Sequence, residues 1–125
     1  MSAAPADMVD VAAYSDIPED GTHLVEVDEV PICLVRSGDA VFAVHNTCTH
    51  ALAQLDGGWV EDGTIECPRH GARFSLQTGE ALTPPANTPV PTFHVEVRGD
   101  RVLVDPTPSH PHPLLQRNEY GAARG

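Results

Sequence analysis

Apolar residues alternate with polar ones at a period of two along much of this chain, and no long stretch keeps helical periodicity. This alternation is typical of strands that bury one face. The predicted strands outside the central region are 8–13, 22–27, 30–36, 40–44, 93–97 and 102–104. Stretch 30–36 is apolar on both faces, as in the middle of a sandwich, and a Ser-Gly-Asp turn leads from it into 40–44. The pattern predicts an all-β fold, an antiparallel β-sandwich.

The pattern changes between residues 45 and 82, where glycine, proline and polar residues separate short predicted strands at 64–67 and 72–76. We interpret this region as a loop-rich subdomain inserted between the strands of the sandwich. Trp59 follows two glycines within it and is expected to pack beneath the loops, with an exposed edge in a docking surface as the alternative. His45, at its start, is expected to make a structural loop contact.

Four prolines fall between residues 106 and 113, and a polar stretch ending in glycine follows them. Proline has no N–H to donate to a sheet, so this composition favours extended, unpacked chain. The sequence therefore predicts one domain over residues 1–105 and a flexible tail over residues 106–125. His110 and His112 lie in this tail, and adventitious metal binding is the one alternative role that they suggest.

The charge balance excludes some classes of partner. Eighteen acidic residues stand against seven arginines and no lysine, which gives a net charge of −11. Nucleic-acid binding requires clustered cations, so no nucleic-acid partner is expected. No apolar run approaches the ~18 residues of a membrane span, and the first residues lack the pattern of a secretory signal. We expect a cytoplasmic protein that is a monomer or a weak oligomer.

Two short clusters carry the chemistry: Cys48-Thr-His50 and Cys67-Pro-Arg-His70, which sixteen residues separate. The chain has three cysteines, so a complete disulfide framework is impossible, and cysteines close to histidines point to a metal or redox centre. Each cluster offers one thiolate and one imidazole. In a 2Fe–2S centre, two histidines in place of two cysteines raise the potential from about −400 mV to roughly −150 to +300 mV.

Zinc is the main alternative for this set of ligands. Cys₂His₂ zinc sites usually take both cysteines from one segment and both histidines from another, often on a helix. Here the order is Cys, His, Cys, His, and no helix is predicted at the second pair. Tetrahedral zinc coordination stays open on the sequence alone.

Residues 8–105 resemble a Rieske ferredoxin in these two clusters, in Gly71 and Gly79, in the Pro84-Pro85 segment and in a closing hairpin that ends at Asp105. The resemblance implies a three-sheet β fold whose tip presents one 2Fe–2S cluster. It also implies that the ring edges of the two histidines lie at the surface, where the electron leaves the protein. The ligand set that it implies is Cys48, His50, Cys67 and His70.

Departures from the family pattern indicate the subclass. Respiratory Rieske proteins join their two loops by a disulfide, and the matching positions here are Ala53 and Arg69. Those high-potential proteins also place a serine and a tyrosine where this chain has Ala72 and Phe74. Hydrogen bonds to cluster sulfurs stabilise the reduced state, so their loss lowers the potential. The chain resembles the low-potential, disulfide-free ferredoxins that serve oxygenases.

The resemblance implies an electron carrier and not an enzyme, placed between a flavin-containing NAD(P)H reductase and a terminal oxygenase. The chain has no Gly-x-Gly-x-x-Gly after a strand with which to bind a nucleotide itself. Two alternatives remain open. One is a Rieske-type small subunit of a larger reductase, such as an assimilatory nitrite reductase, and the other is a zinc-stabilised interaction module without redox activity.

Overall fold

Strands dominate the structure, a computed structural model that describes residues 8–49, 53–69, 71–83, 88–112 and 114. One short 3-10 helix, Tyr14–Asp16, follows the first strand. None of these described residues forms a helix with the length and apolarity of a membrane span. In chain order the strands are β1 (Val9–Ala13), β2 (Gly21–Val27), β3 (Val30–Ser37), β4 (Ala40–His45), β5 (Trp59–Glu61), β6 (Thr64–Glu66), β7 (Arg73–Ser75), β8 (Thr92–Phe93), β9 (Val95–Arg98) and β10 (Arg101–Val104).

The strands form three antiparallel sheets, with the orders β1-β10-β9, β2-β3-β4-β8 and β5-β6-β7. The first two sheets form the base of the molecule, and the third belongs to the inserted subdomain. The predicted all-β class and the three-sheet architecture are confirmed. The small strand β5 has only three residues and was not predicted.

Strand β3 shows why its sequence is apolar on both faces. Ile32 and Leu34 are fully buried in the core between the two base sheets. Cys33 and Val35 point the other way and are fully buried in a second core that includes the subdomain. Because successive side chains of a strand alternate between faces, this one strand supports both cores.

The alternating run at 93–97 is divided between two sheets. Phe93 pairs with Ala43 of β4, whereas Val95 pairs with Val104 of β10. The chain changes sheets at His94, whose carbonyl accepts a hydrogen bond from the backbone N–H of Asp105 at 2.9 Å. A sequence pattern of period two continues across such a change, so the division was not predicted.

Residues 106–112 pack against the domain, contrary to the expected unpacked tail. The backbone N–H of Ser109 donates to the carbonyl of Thr92 at 2.9 Å, and the Thr92 N–H donates to Ser109 Oγ at 3.0 Å. His112 is only 2% exposed. Proline removes N–H donors but leaves the side chains between the prolines able to bond, and that is how this segment is held. Residues 115–125 lie outside the described residues, where the flexible tail stays a prediction.

Candidate metal centre

Cys48 and Cys67 begin two loops that close in the same way. The backbone N–H of Cys48 donates to the carbonyl of Ala53 at 2.8 Å, and the N–H of Cys67 donates to the carbonyl of Ala72 at 2.7 Å. Each bond joins a cysteine to an alanine five residues later, so the two loops have equal length. We call residues 48–53 the first loop and residues 67–72 the second loop.

The two cysteines belong to one buried core. Both are fully buried, and both belong to the core that β3 shares with the subdomain. Ala53, Ala72 and Phe74 are buried members of the same core. Two separate loops thus bring one thiol each to a single apolar region.

The two predicted histidine ligands, His50 and His70, lie outside the described residues. Within the described residues, no group of three or more His, Cys, Asp or Glu side chains is arranged to hold a metal ion. The structure describes the chain up to Thr49 and again from Ala53, and it describes both neighbours of His70, Arg69 and Gly71. Arg69, the neighbour of His70, is exposed.

The base of the first loop is held by a reciprocal pair of hydrogen bonds. Asn46 Nδ2 donates to Asp56 Oδ1 at 2.8 Å, and the backbone N–H of Asp56 donates to Asn46 Oδ1 at 2.9 Å. The backbone N–H of Leu55 also donates to the Asn46 carbonyl at 2.7 Å, and Thr47 and Gln54 form an isolated β-bridge. Asn46 is 2% exposed, so these bonds are largely sheltered from water.

Two imidazoles flank Thr47, the residue before Cys48. The backbone N–H of Thr47 donates to His45 Nδ1 at 3.1 Å, and the Thr47 carbonyl accepts from His112 Nε2 at 2.8 Å. The two rings lie 4.8 Å apart between centroids and are tilted by 55°. His45 confirms the expected structural loop contact. His112 was missed, because no local pattern marks a histidine between prolines as buried.

Burial favours the neutral form of both imidazoles. Burial lowers the pKa of His45 to about 4, and the nearby His112 lowers it further. Burial also lowers the pKa of His112, against the opposing effect of its bond to Thr47. A carbonyl only accepts, so His112 carries its proton on Nε2, which leaves Nδ1 to accept from the backbone N–H of Leu114 at 3.0 Å.

The base of the second loop is held by different contacts. The N–H of Gly71 donates to the Cys67 carbonyl at 3.0 Å, and Gly71 has a φ of +77°, a conformation that glycine adopts without strain. The Arg73 guanidinium contacts the Glu66 carboxylate at 3.3 Å. A Cβ on Gly58 would overlap the Glu66 carbonyl, so only glycine lets these two backbones approach so closely.

Trp59 does not pack beneath the loops as expected. Its side chain is 64% exposed on β5, opposite Glu66 of β6. The preceding residue, Gly58, permits the close approach of the backbone to β6. The indole then lies on the outer side of this three-residue strand. The register of β5 against β6 places the indole on the outside, and the loop-rich sequence around Trp59 does not show this.

The donors suit a metal cluster bound between the loops. Two thiols reach one apolar region from loops of equal length, and both loops continue into a histidine at the positions that the structure leaves undescribed. Thiolates and imidazoles are ligands that bind Fe–S clusters of mixed coordination. The apolar surroundings limit the access of water, which tunes the potential of such a centre.

Comparisons with known proteins agree with this geometry. Residues 7–94 match a family model described as the Rieske 2Fe–2S domain. The ferredoxin component of a naphthalene 1,2-dioxygenase system from Pseudomonas aeruginosa is 35% identical over 97 residues, which are 78% of this chain and 93% of the relative.

Two solved structures are also similar. The ferredoxin of carbazole 1,9a-dioxygenase from Nocardioides aromaticivorans superposes with a TM-score of 0.76 at 36% identity, and the match covers 80% of this chain and 98% of that one. A ferredoxin from a structure titled as a complex of reduced oxygenase and oxidised ferredoxin in carbazole 1,9a-dioxygenase gives a TM-score of 0.73 at 35% identity. That match covers 79% of this chain and 93% of the other.

Proposed function

This chain belongs to the Rieske 2Fe–2S family, and we propose that it passes single electrons from a flavin-dependent NAD(P)H reductase to a terminal oxygenase. It carries one Rieske 2Fe–2S cluster and is an electron-transfer component, not an enzyme. When bound, the cluster supplies a one-electron ferric–ferrous couple. The chain's own residues hold the cluster, shelter it and present it to partners.

The proposed ligands are the two cysteines and two histidines of the loops: Cys48, His50, Cys67 and His70. The single observation that supports this set best is the convergence of two buried thiols from loops closed by the same Cys-to-Ala hydrogen bond. In each loop a histidine follows its cysteine by two or three residues. Each loop therefore offers one ligand of each kind.

We place the potential in the lower part of the Rieske range. Ala72 and Phe74 are fully buried in the same core as Cys67 and bring no hydroxyl to it. Without those donors, fewer hydrogen bonds stabilise the additional negative charge of the reduced state. Such a carrier accepts electrons from a flavin and still delivers them to an oxygenase.

The oxygenase partner is proposed from the ferredoxin that is seen together with its oxygenase in a solved complex. The exposed Arg69, next to the proposed ligand His70, lies on the surface that we expect to meet the acceptor. The exposed carboxylates Glu61 and Asp62 are suited to orient a partner with a basic patch. Asp56 bonds Asn46, and this contact gives it a role at the base of the first loop.

The alternatives are less well supported. The relatives reported above are named as ferredoxins of dioxygenase systems, which disfavours a small subunit of a nitrite reductase. Membership of the Rieske family disfavours a zinc module without redox activity. A cytoplasmic location accords with electron supply from NAD(P)H and remains part of this proposal.

The experiment is metal and spectroscopic analysis of anaerobically prepared protein. We expect two irons and two acid-labile sulfides per chain, and a dithionite-reduced paramagnetic signal with an average g value below that of all-cysteine ferredoxins. His50→Cys and His70→Cys variants should move that signal towards the all-cysteine type, because they change the ligand set itself. A colourless, zinc-loaded protein would refute the function. A wild-type signal in both variants would refute the ligand assignment.

A further inference from the structure

The segment that follows β10 crosses the domain and ends at the base of the first loop. Its N–H groups and side chains bond to the stretch before β8 and to β8 itself. Ser109 bonds Thr92, and His110 Nε2 lies 3.2 Å from the carbonyl of Pro89. At the far end of the segment, His112 reaches Thr47. The segment lies beyond the residues 7–94 that match the family model.

The peptide group between Thr47 and Cys48 is bound at both of its polar atoms. Its C=O accepts from His112 Nε2 at 2.8 Å, and its N–H donates to the Ala53 carbonyl at 2.8 Å. The preceding peptide N–H, that of Thr47, is bound to His45 Nδ1. A peptide plane fixed at both ends determines the direction in which the Cys48 side chain leaves the backbone.

The His112 ring has no freedom to turn away. It is 2% exposed, it packs against His45, and its second nitrogen accepts from the Leu114 N–H. Both of its nitrogens therefore have defined roles, donor to Thr47 and acceptor from Leu114. The ring joins residue 112 to Thr47 at the base of the first loop, 65 residues earlier.

We propose that residues 105–112 form a strap across the base of the first loop, and that His112 is a positioning residue that holds the Thr47–Cys48 peptide for the cluster. The inference rests on the proposed assignment of Cys48 as a ligand. Groups that orient the ligands of a metal centre typically change its retention by 10–100-fold when they are replaced. The strap therefore serves to retain the cluster.

The test is the rate at which the full-length holoprotein loses its cluster to an excess of the iron chelator bathophenanthroline disulfonate, followed by visible absorbance. His112→Leu removes the donor and His112→Asn is too short to reach the carbonyl, so both should lose the cluster about tenfold faster. His112→Gln keeps a donor of suitable length and should stay within about twofold of wild type. His94→Leu, at an exposed histidine outside the strap whose side chain contacts Glu96, is the matched control and should release at the wild-type rate.

Hydrogen exchange separates positioning from general stability. In His112→Asn, amides of residues 45–55 should exchange faster while those of β10 stay protected, whereas a global loss of stability speeds both. Should the Leu variant fail to fold, the comparison of Asn with Gln decides.

Failure of the proposed function and failure of the strap give different results. A wild-type protein without iron and sulfide overturns the proposed function, and with it this inference. A wild-type protein with a Rieske cluster, and with equal release from the Asn and Gln variants, overturns the strap alone.

Discussion

Asn46→Ala is expected to destabilise the first loop more than any change on the exposed surface. The variant removes a donor to the Asp56 carboxylate at 2.8 Å and an acceptor for the Asp56 N–H at 2.9 Å. A hydrogen bond to a charged group contributes about 1.5–3 kcal/mol, and a sheltered N–H left without a partner costs about 1–3 kcal/mol. Since Asp56 itself is half-buried and water reaches part of it, we take the low end of each range, about 2.5 kcal/mol in total.

The assay is urea unfolding of the holoprotein under anaerobic conditions, followed by far-ultraviolet circular dichroism. With an m-value of about 1.5–2 kcal/mol per molar urea, the unfolding midpoint should fall by about 1.5 M. Asp56→Asn keeps a neutral version of both bonds and should lose less than half as much. Arg98→Ala breaks only an exposed ion pair with Glu96 and should leave the midpoint unchanged.

A fall of less than about 0.3 M for Asn46→Ala would refute the reasoning, because the reciprocal bonds would then contribute no more than a surface contact. So would an Asp56→Asn variant that is as unstable as Asn46→Ala. In that case the charge, and not the geometry of the pair, would hold the loop.

Ala72→Ser combined with Phe74→Tyr should raise the midpoint potential measured by voltammetry by about 90 mV, because two new hydrogen bonds would each favour the reduced state by about 1 kcal/mol. An unchanged potential would mean that the hydroxyls do not reach the cluster or its ligands. The lowered pKa of His45, about 4 against 6.5, means that the unfolded chain binds more protons between these pH values. Stability should therefore fall as the pH falls through this window, by at most about 3 kcal/mol. His45→Gln should flatten that slope, and an equal slope in the variant would contradict the assignment. Glu61→Gln combined with Asp62→Asn should slow reduction of the oxygenase and weaken its salt dependence in stopped-flow measurements, and an unchanged salt slope would count against steering.

The sequence predicted the parts of the fold that depend on local alternation. The strands β2, β3 and β4 were predicted to within one residue at either end, and the two-sided apolar pattern of residues 30–36 correctly placed β3 between two cores. An alternation of apolar and polar residues can be read from the sequence, because successive side chains of a strand point to opposite faces of the sheet. The two loops that begin at Cys48 and Cys67 were also visible, since the spacing of cysteine and histidine is a local property of the sequence.

The errors concern contacts between distant segments. Trp59 is exposed because of how β5 lies against β6, and His112 is buried because Thr47 offers a carbonyl 65 residues earlier. Neither partner can be read from the neighbouring sequence. Prolines near His112 predicted an unpacked chain, although proline excludes only the ladder of a sheet and not side-chain contacts.

The two loops are alike in how they close and different in what holds them. The first is fixed to the base sheets. The His45 N–H donates to the Pro91 carbonyl and the Asn46 N–H donates to the Pro31 carbonyl. The strap adds the bond from His112 to the Thr47 carbonyl. The second is fixed to the small sheet, through Glu66 and its contact with Arg73. Closure of each loop on itself cannot set the separation of the two cysteines, so that separation depends on how the small sheet packs against β3 and β4.

Both cysteines lie in the core that this packing forms. A cluster bound by both loops would join the small sheet to the base sheets across that core. Binding of the cluster should therefore stabilise the subdomain against the base, since it acts only on the arrangement in which both loops are in place. The same reasoning explains why the first loop has additional contacts. It is the fixed side of the site, against which the second loop must be placed.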